Sequence, residues 1–257
     1  MNAEKKSFDR NSNIYTVVFT IVLIGVVAVI LAGSYKFFKP YYDQNVRQEK
    51  MTDILYTIGL DKQKLEESAR AEGLPMSYNL IKQYFDQYIV KQLALNAEGK
   101  PVENVNAFGV NLKEEIQKPV EKQVYPLFIA EYQGKKYYII PLYGKGLWDD
   151  IWGYVALEED WKTIHGIKFG HKGETPGLGA NITEKWFEDR FKGEKIFDES
   201  GNFTGIEIVK QLKDKTDKND HKVDAISGAT LTSNGVGVML NERLKHYVPY
   251  FEKMKKQ

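Results

Sequence analysis

The pattern of apolar and polar positions changes character along the chain. Residues 14–33 (IYTVVFTIVLIGVVAVILAG) run for twenty positions without a charge. As a helix rising about 1.5 Å per residue, the run spans about 30 Å, the hydrocarbon thickness of a bilayer. Lys5, Lys6 and Arg10 precede it, and Tyr35, Lys36, Phe37, Phe38 and Lys39 follow as interfacial anchors. A signal-peptide core holds only about 7–15 apolar residues. Although Ala32-Gly33-Ser34 would suit a peptidase, the run reads as a retained membrane helix over residues 14–34, behind a short tail of residues 1–13.

Pro40 is expected to break that helix. Between residues 42 and 59, Val46, Met51, Ile54, Leu55 and Ile58 recur at helical spacing, and Gly59 is a stop. Residues 61–71 are polar and charged. Residues 76–95 place Ile81, Phe85, Ile89 and Leu93 three to four apart, which predicts another helix. Residues 35–120 are therefore read as a helical linker whose apolar stripes serve packing, and residues 121–257 as the domain that follows.

From Tyr125 the period shortens to two. Strands are predicted over residues 125–132, 135–144, 151–157 and 163–170, with Gln133-Gly134 as a hairpin turn. Short connections imply an antiparallel, partly exposed sheet. Asn181 and Glu184 have capping-box spacing and predict a helix to Lys192 with Trp186, Phe187 and Phe191 inward. Residues 205–210 alternate like a strand, and residues 211–220 read as a solvated loop. A last helix over residues 236–246 carries Val238, Leu240 and Leu244 and ends at Pro249. The fold class is α+β: a single N-terminal transmembrane helix, then an antiparallel-sheet domain with flanking helices.

Composition adds exclusions. The 257 residues, 42% hydrophobic and 28% charged, suit one globular domain plus extras. A net charge of +1 gives no reason to expect nucleic acid. The lack of cysteine removes disulfides, an acylated cysteine, thiolate-held iron–sulfur clusters and cysteine nucleophiles. His165, His171, His221 and His246 have no paired metal-ligand spacing, so no metal site is expected.

Three loops carry candidate chemistry. Residues 224–235 read DAISGATLTSNG, where Ser227-Gly228-Ala229 leave a threonine hydroxyl, Thr230, on a backbone with little around it. Small residues let successive N–H groups converge on an anion, and the positive end of the following helix lies close by. Residues 171–179 (HKGETPGLG) form a tight turn around Pro176-Gly177 and bring Glu174 and Thr175 to one place. Residues 143–148 (YGKGLW) hold a Gly-x-Gly that is a weak phosphate signal and on its own reads as a plain turn. The bland reading of all three is a set of connectors built from small residues. A hydrolase using Ser227 or Thr230 would need an adjacent, oriented base, and the nearest histidine in sequence is the distant His221.

DAISGATLTS is similar to the flavin-attachment motif of bacterial respiratory membrane complexes, Asp-x-x-Ser/Thr-Gly-Ala-Thr/Ser. Glu-Thr-Pro-Gly-Leu-Gly and Gly-Lys-Gly-Leu-Trp resemble the same proteins and occur in the same order. With the N-terminal anchor and the closing SGATLTSNGV, the chain resembles the family of C subunits of the Na+-translocating NADH:quinone oxidoreductases. A sister family, the G subunits of the ion-translocating ferredoxin:NAD+ oxidoreductases, shares the fold and flavin linkage. Length and Ser233–Val236 favour the first. Residues 61–120 match no motif.

The resemblance implies FMN joined by a phosphodiester to Thr230, the work of a dedicated flavin transferase. It implies that Ser227, Gly228, Ala229 and Thr232 surround the phosphate, and that Glu174, Thr175, Gly177, Leu178 and Gly179, with Leu147 and Trp148 near, meet the isoalloxazine. Asp224 and Gly228 would also serve recognition by the transferase. Electrons would pass through the FMN toward quinone in a complex with the B, D and E subunits, and with A and F. The tail would be cytoplasmic and the main domain on the periplasmic face of a bacterial inner membrane, in contact with lipid. The chain shows no dinucleotide fingerprint, so it is not expected to oxidise NADH alone. The opposing reading is a non-redox anchored scaffold that keeps the loops and carries no flavin.

Overall fold

A computed structural model describes residues 12–212, 214 and 216–255. Most of the expected tail, including Lys5, Lys6 and Arg10, lies outside the described residues. The chain divides into one compact unit, Met1–Arg47, and a second, Gln48–Gln257.

Helix α1 runs over Asn13–Thr57, so its last turns belong to the second unit. It is the one helix among the described residues long and apolar enough to cross a membrane, and none of that apolar stretch is buried within the protein. Pro40 does not break it. Proline removes one N–H and displaces one carbonyl, a local cost of about 3 kcal/mol that the turns on either side survive. The Lys39–Asp43 ion pair, 3.1 Å, spans the same turn. The stop at Gly59 is observed: its φ of 90° lets Leu60 N–H reach back to Leu55 O at 3.1 Å.

The polar stretch after Gly59 is itself a helix, α2 (Lys62–Ala71). Asp61 caps it by accepting from Lys64 N–H at 2.9 Å, and Leu65 and Ala69, four apart, are buried. Helix α3 (Tyr78–Tyr88) follows, capped by Ser77. The predicted continuation to Leu95 fails, because residues 89–95 form strand β1 (Ile89–Leu95). A spacing of four does not distinguish a helix from a helix that hands over to a strand. Pairing of Leu93 with Leu127 and of Leu95 with Tyr125 claims the segment's backbone for the sheet.

A short helix α4 (Leu112–Glu115) precedes β2 (Tyr125–Tyr132), β3 (Lys135–Lys145), β4 (Asp150–Leu157) and β5 (Ile164–His171). The five strands form an antiparallel meander in chain order. Gln133 and Gly134 turn the β2–β3 hairpin with φ of 52° and 73°, which matches the right-handed strand twist.

The sheet is covered on both faces rather than partly exposed. Along β3, Tyr138, Ile140 and Leu142 join one core, with Phe169, Phe187, Phe191 and Leu240. Tyr137 and Ile139 join a second, with Ile54, Leu55, Leu65, Ile81 and Phe85. The helices read as a linker are thus the second layer of the domain, from Gln48 onward.

Beyond β5 the predicted helix from Asn181 breaks into single turns: Gly179–Thr183, then α5 (Lys185–Glu188), then Asp189–Phe191. Phe187 and Phe191 point inward against Phe169, with ring centroids 5.9 and 5.4 Å away. That contact fixes the face and leaves Trp186 outside at 45% exposure, under the Arg190 guanidinium. Strands β6 (Glu207–Val209) and β7 (Lys222–Asp224) pair in parallel. Helix α6 (Thr230–Leu244) begins six residues earlier than predicted. Val236, Leu240 and Leu244 are buried, whereas Val238 sits on the outer face at 63% exposure. Pro249 opens α7 (Val248–Met254) instead of ending the chain's last helix.

Candidate functional site: three loops joined at one carboxylate

Strand β7 delivers the chain to the small-residue turn. The Arg190 guanidinium donates to Asp224 O at 2.7 Å and to Ala225 O at 3.2 Å, fixing the approach. Ile226 N–H donates to the Ser233 hydroxyl at 3.0 Å, and that hydroxyl donates to Ala229 O at 2.9 Å. One buried serine in the first turn of α6 thereby folds the turn back onto its own helix. Gly228 supplies the left-handed bend, φ 77°. Ser227, Gly228 and Thr230 are exposed, and Thr230 is the first residue of α6. Ala229 at the cap position has no side chain to bond the opening amides, so the positive end of the fifteen-residue helix is uncapped from that side.

The four hydroxyls in this segment separate cleanly. Thr232 and Ser233 are 1% and 0% exposed and already bonded; Ser227 and Thr230 face outward. The Thr232 hydroxyl donates to Glu174 Oε2 at 2.6 Å. Glu174 Oε1 accepts from Trp148 N–H at 2.9 Å and more weakly from Asp149 N–H at 3.5 Å. Glu174 N–H in turn donates to His171 Nδ1 at 3.3 Å. Burial opposes ionisation of this carboxyl. The bonds from Thr232, Trp148 and Asp149 outweigh it and hold the group below its ordinary range.

The glycines around it mark close approach. A Cβ on Gly146 would run into the Glu174 carboxylate, and one on Gly179 would lie 2.6 Å from both that carboxylate and the Thr232 hydroxyl. A Cβ on Gly235 would stand 2.5 Å from Lys145 O, and one on Gly144 2.7 Å from Met239 Cβ. The Gly-Lys-Gly string is therefore where α6 crosses the end of β3 with almost no gap.

Above this base lies an exposed, mainly apolar rim. Trp148, Leu147, Leu178 and Leu231 are all exposed. The Trp148 indole N–H donates to Thr175 Oγ1 at 3.2 Å, and Leu178 lies against Gly228. Gly177, φ 77°, turns the loop between them.

The three loops singled out in the sequence thus meet, through direct bonds among Trp148, Glu174, Thr175 and Thr232. Thr232 and the Glu174 carboxylate turn into the protein, while Trp148, Leu178 and Thr230 turn out of it. Sequence reading missed the structural parts of Arg190 and Ser233. Ser233 lies within the quoted motif, three residues after Thr230. Arg190 carries no signal, being 34 residues from the carbonyl it binds.

An exposed hydroxyl at an uncapped helix start, beside an exposed indole and leucine, suits a ligand with a phosphate at one end and a flat apolar ring at the other. The class follows: residues 146–245, which take in the 171–179 and 224–235 loops whole and the end of the 143–148 loop from Gly146, match the FMN-binding domain family. Over its length the chain is 30% identical to the C subunit of the Na+-translocating NADH-quinone reductase of a serogroup A strain of Neisseria meningitidis, covering 97% of each chain. Its structure resembles the crystal structure of the corresponding protein from Parabacteroides distasonis at a TM-score of 0.69, with 33% identity, over 82% of this chain and 96% of that one. It also resembles the Shewanella oneidensis protein, TM-score 0.66 and 26% identity, over 82% and 98%. The chain belongs to the family of C subunits of Na+-translocating NADH-quinone reductases.

Proposed function

We propose that this chain is the membrane-anchored FMN subunit of a Na+-translocating NADH:quinone oxidoreductase, and that Thr230 carries the FMN through a phosphodiester. One observation carries the choice of residue. Thr230 alone combines an exposed hydroxyl with the first position of α6, where amides and helix dipole favour a phosphate. Ser227, Gly228 and Ala229 contribute small side chains and a backbone that can wrap an anion. Trp148 and Leu178 offer apolar surface for the ring, and Thr175 and Gly177 flank it with polar backbone and hydroxyl groups. FMN, when bound, supplies the electron transfer; the chain supplies its place and its electrostatic surroundings. Thr230 is then a tether and takes no part in turnover.

Helix α1 anchors the chain, and the remaining subunits of the complex supply NADH oxidation and quinone reduction. The main domain lies on the outer face of the inner membrane, where a covalent link holds a flavin that no local pool would replace. The test is the intact mass of the full chain after denaturation, with in-gel ultraviolet fluorescence, for wild type and Thr230→Ala co-expressed with a flavin transferase. A mass increase of one FMN, lost in Thr230→Ala, is expected. A bare wild type beside a loaded control acceptor would return the chain to the scaffold reading.

A further inference from the structure

Three motif loops from distant parts of the chain end on one buried side chain. Glu174 lies in the loop after β5. Its Oε1 holds the β3–β4 loop through Trp148 N–H and Asp149 N–H, and its Oε2 holds the first turn of α6 through Thr232. The residue is 4% exposed, and among the described residues no lysine or arginine is paired with it. Gly146 and Gly179 press on the carboxylate, so its position is fixed by backbone on two sides. The partners are uneven in what they position. Trp148 and Leu178 form the rim, Thr232 sits two residues after Thr230, and Ser233 beside it ties the turn that presents Thr230.

Accordingly we propose that Glu174 is a positioning residue for FMN attachment: a carboxylate staple that sets the Thr230 hydroxyl in register with the Trp148–Leu178 rim. This rests on Thr230 being the tether. It assigns the carboxylate a role inside the protein, beneath the ring's site and not in contact with it. Both of its oxygens are already engaged, and a flavin edge would have to displace a bond that organises the loops.

The attachment step defines what must be aligned. A pyrophosphate-activated flavin donates its flavin phosphoryl group. The Thr230 Oγ–P bond forms as the pyrophosphate P–O bond breaks, the hydroxyl proton is released, and a nucleoside monophosphate leaves. The acceptor oxygen must therefore be offered in line with that bond, and a loop displaced by about 1 Å can cost about a hundredfold in such a step.

The experiment uses the full chain in membranes with limiting flavin transferase, reading the FMN-bearing fraction by denatured mass against time. Glu174→Ala is expected to slow attachment about tenfold or more, because the bonds that both oxygens of a charged acceptor receive disappear. Glu174→Gln should recover most of the rate, since its oxygen can accept from Trp148 N–H while its NH2 donates to Thr232 Oγ1. Thr232→Val, which removes one arm, should fall between them, and serves alone should Glu174→Ala fail to fold. Leu65→Ala, in the second core on the far face of the sheet, reports what lost stability does by itself. Melting each variant in a Thr230→Ala background follows the apoprotein without flavin.

Attachment to Glu174→Ala and Thr232→Val at the wild-type rate overturns the staple and leaves the tether standing. So does a Glu174→Gln variant as slow as Glu174→Ala, or an equal slowing in Leu65→Ala at matched melting temperature. A bare wild type removes the tether and the staple with it.

Discussion

At the scale of single residues, the turn that opens α6 depends on hydroxyls with different jobs within seven positions. Ser233 is fully buried and bonds in both directions, accepting from Ile226 N–H and donating to Ala229 O. Replacing it with alanine leaves the Ile226 amide without a partner inside the protein, a cost of about 1–3 kcal/mol. Ser233→Ala should lower the melting temperature of the apoprotein, while Ser227→Ala, at an exposed hydroxyl, should leave it unchanged. Equal melting temperatures for wild type and Ser233→Ala would show that the turn is held by something other than this serine. The composition of the segment announced a site: three small residues before a threonine are a poor core and a good place to set down a phosphate. What composition could not announce was orientation. Thr232 is as much a threonine as Thr230, and only the helix register, which turns one outward and the other toward Glu174, separates the proposed tether from a structural bond.

At the scale of elements, strands β2 to β5 of the meander were legible because each alternates and each is bounded by turn residues, down to the Gln133-Gly134 hairpin. The elements that misread share a cause. In β1, Ile89 and Leu93 keep a spacing of four that suits α3, and only the long-range partner β2 decides that the chain extends there. Around α5, the pattern turns Trp186, Phe187 and Phe191 all inward, and contact with Phe169 keeps only the two phenylalanines inside. Helix α6 was read short because Thr230–Gly235 is rich in residues with weak helix propensity. Its start is held instead by tertiary contact, with Gly144 and Gly235 allowing the helix to lie directly on the end of β3. That crossing can be tested. Gly144→Ala forces a methyl into Met239 at 2.7 Å, and overpacking of this kind costs about 1–3 kcal/mol. A lowered denaturation midpoint, restored in part by Met239→Ala in the same chain, is expected. Full stability of Gly144→Ala alone would mean that α6 has room to lift.

At the scale of the whole molecule, the second layer was invisible in the sequence because its helices look like any amphipathic linker, yet it places charges against the sheet. Asp53, on the last turns of α1, is pushed up to about 7 by burial; Lys168 opposes the shift, and Glu49 and Glu188 add to it. Lys168 is already paired with Glu188 at 3.0 Å, and Glu188 also accepts from the Tyr56 hydroxyl at 2.8 Å and from Phe169 N–H at 3.0 Å. One ammonium thus serves a buried carboxylate fully and a second one only in part. The sign follows from linkage. In the unfolded chain Asp53 ionises near its ordinary value of 3.8, whereas in the folded protein it holds its proton to about 7. Its stabilising contribution is whole below the unfolded value, declines as pH rises between the two, and is gone once pH has passed the folded value. Glu174 and Asp150, both held below their ordinary range, act in the opposite sense and lose their contribution as pH falls. Comparing Asp53→Asn with wild type cancels those common terms. In detergent, the melting temperature of Asp53→Asn minus that of wild type should rise steadily from pH 4 to pH 7 and then level off, with the variant the more stable at pH 8. A variant less stable than wild type at pH 8 would mean that the charged form of Asp53 is held by Lys168 after all, and that the junction between α1 and the sheet is an ion-paired joint and not a strained one.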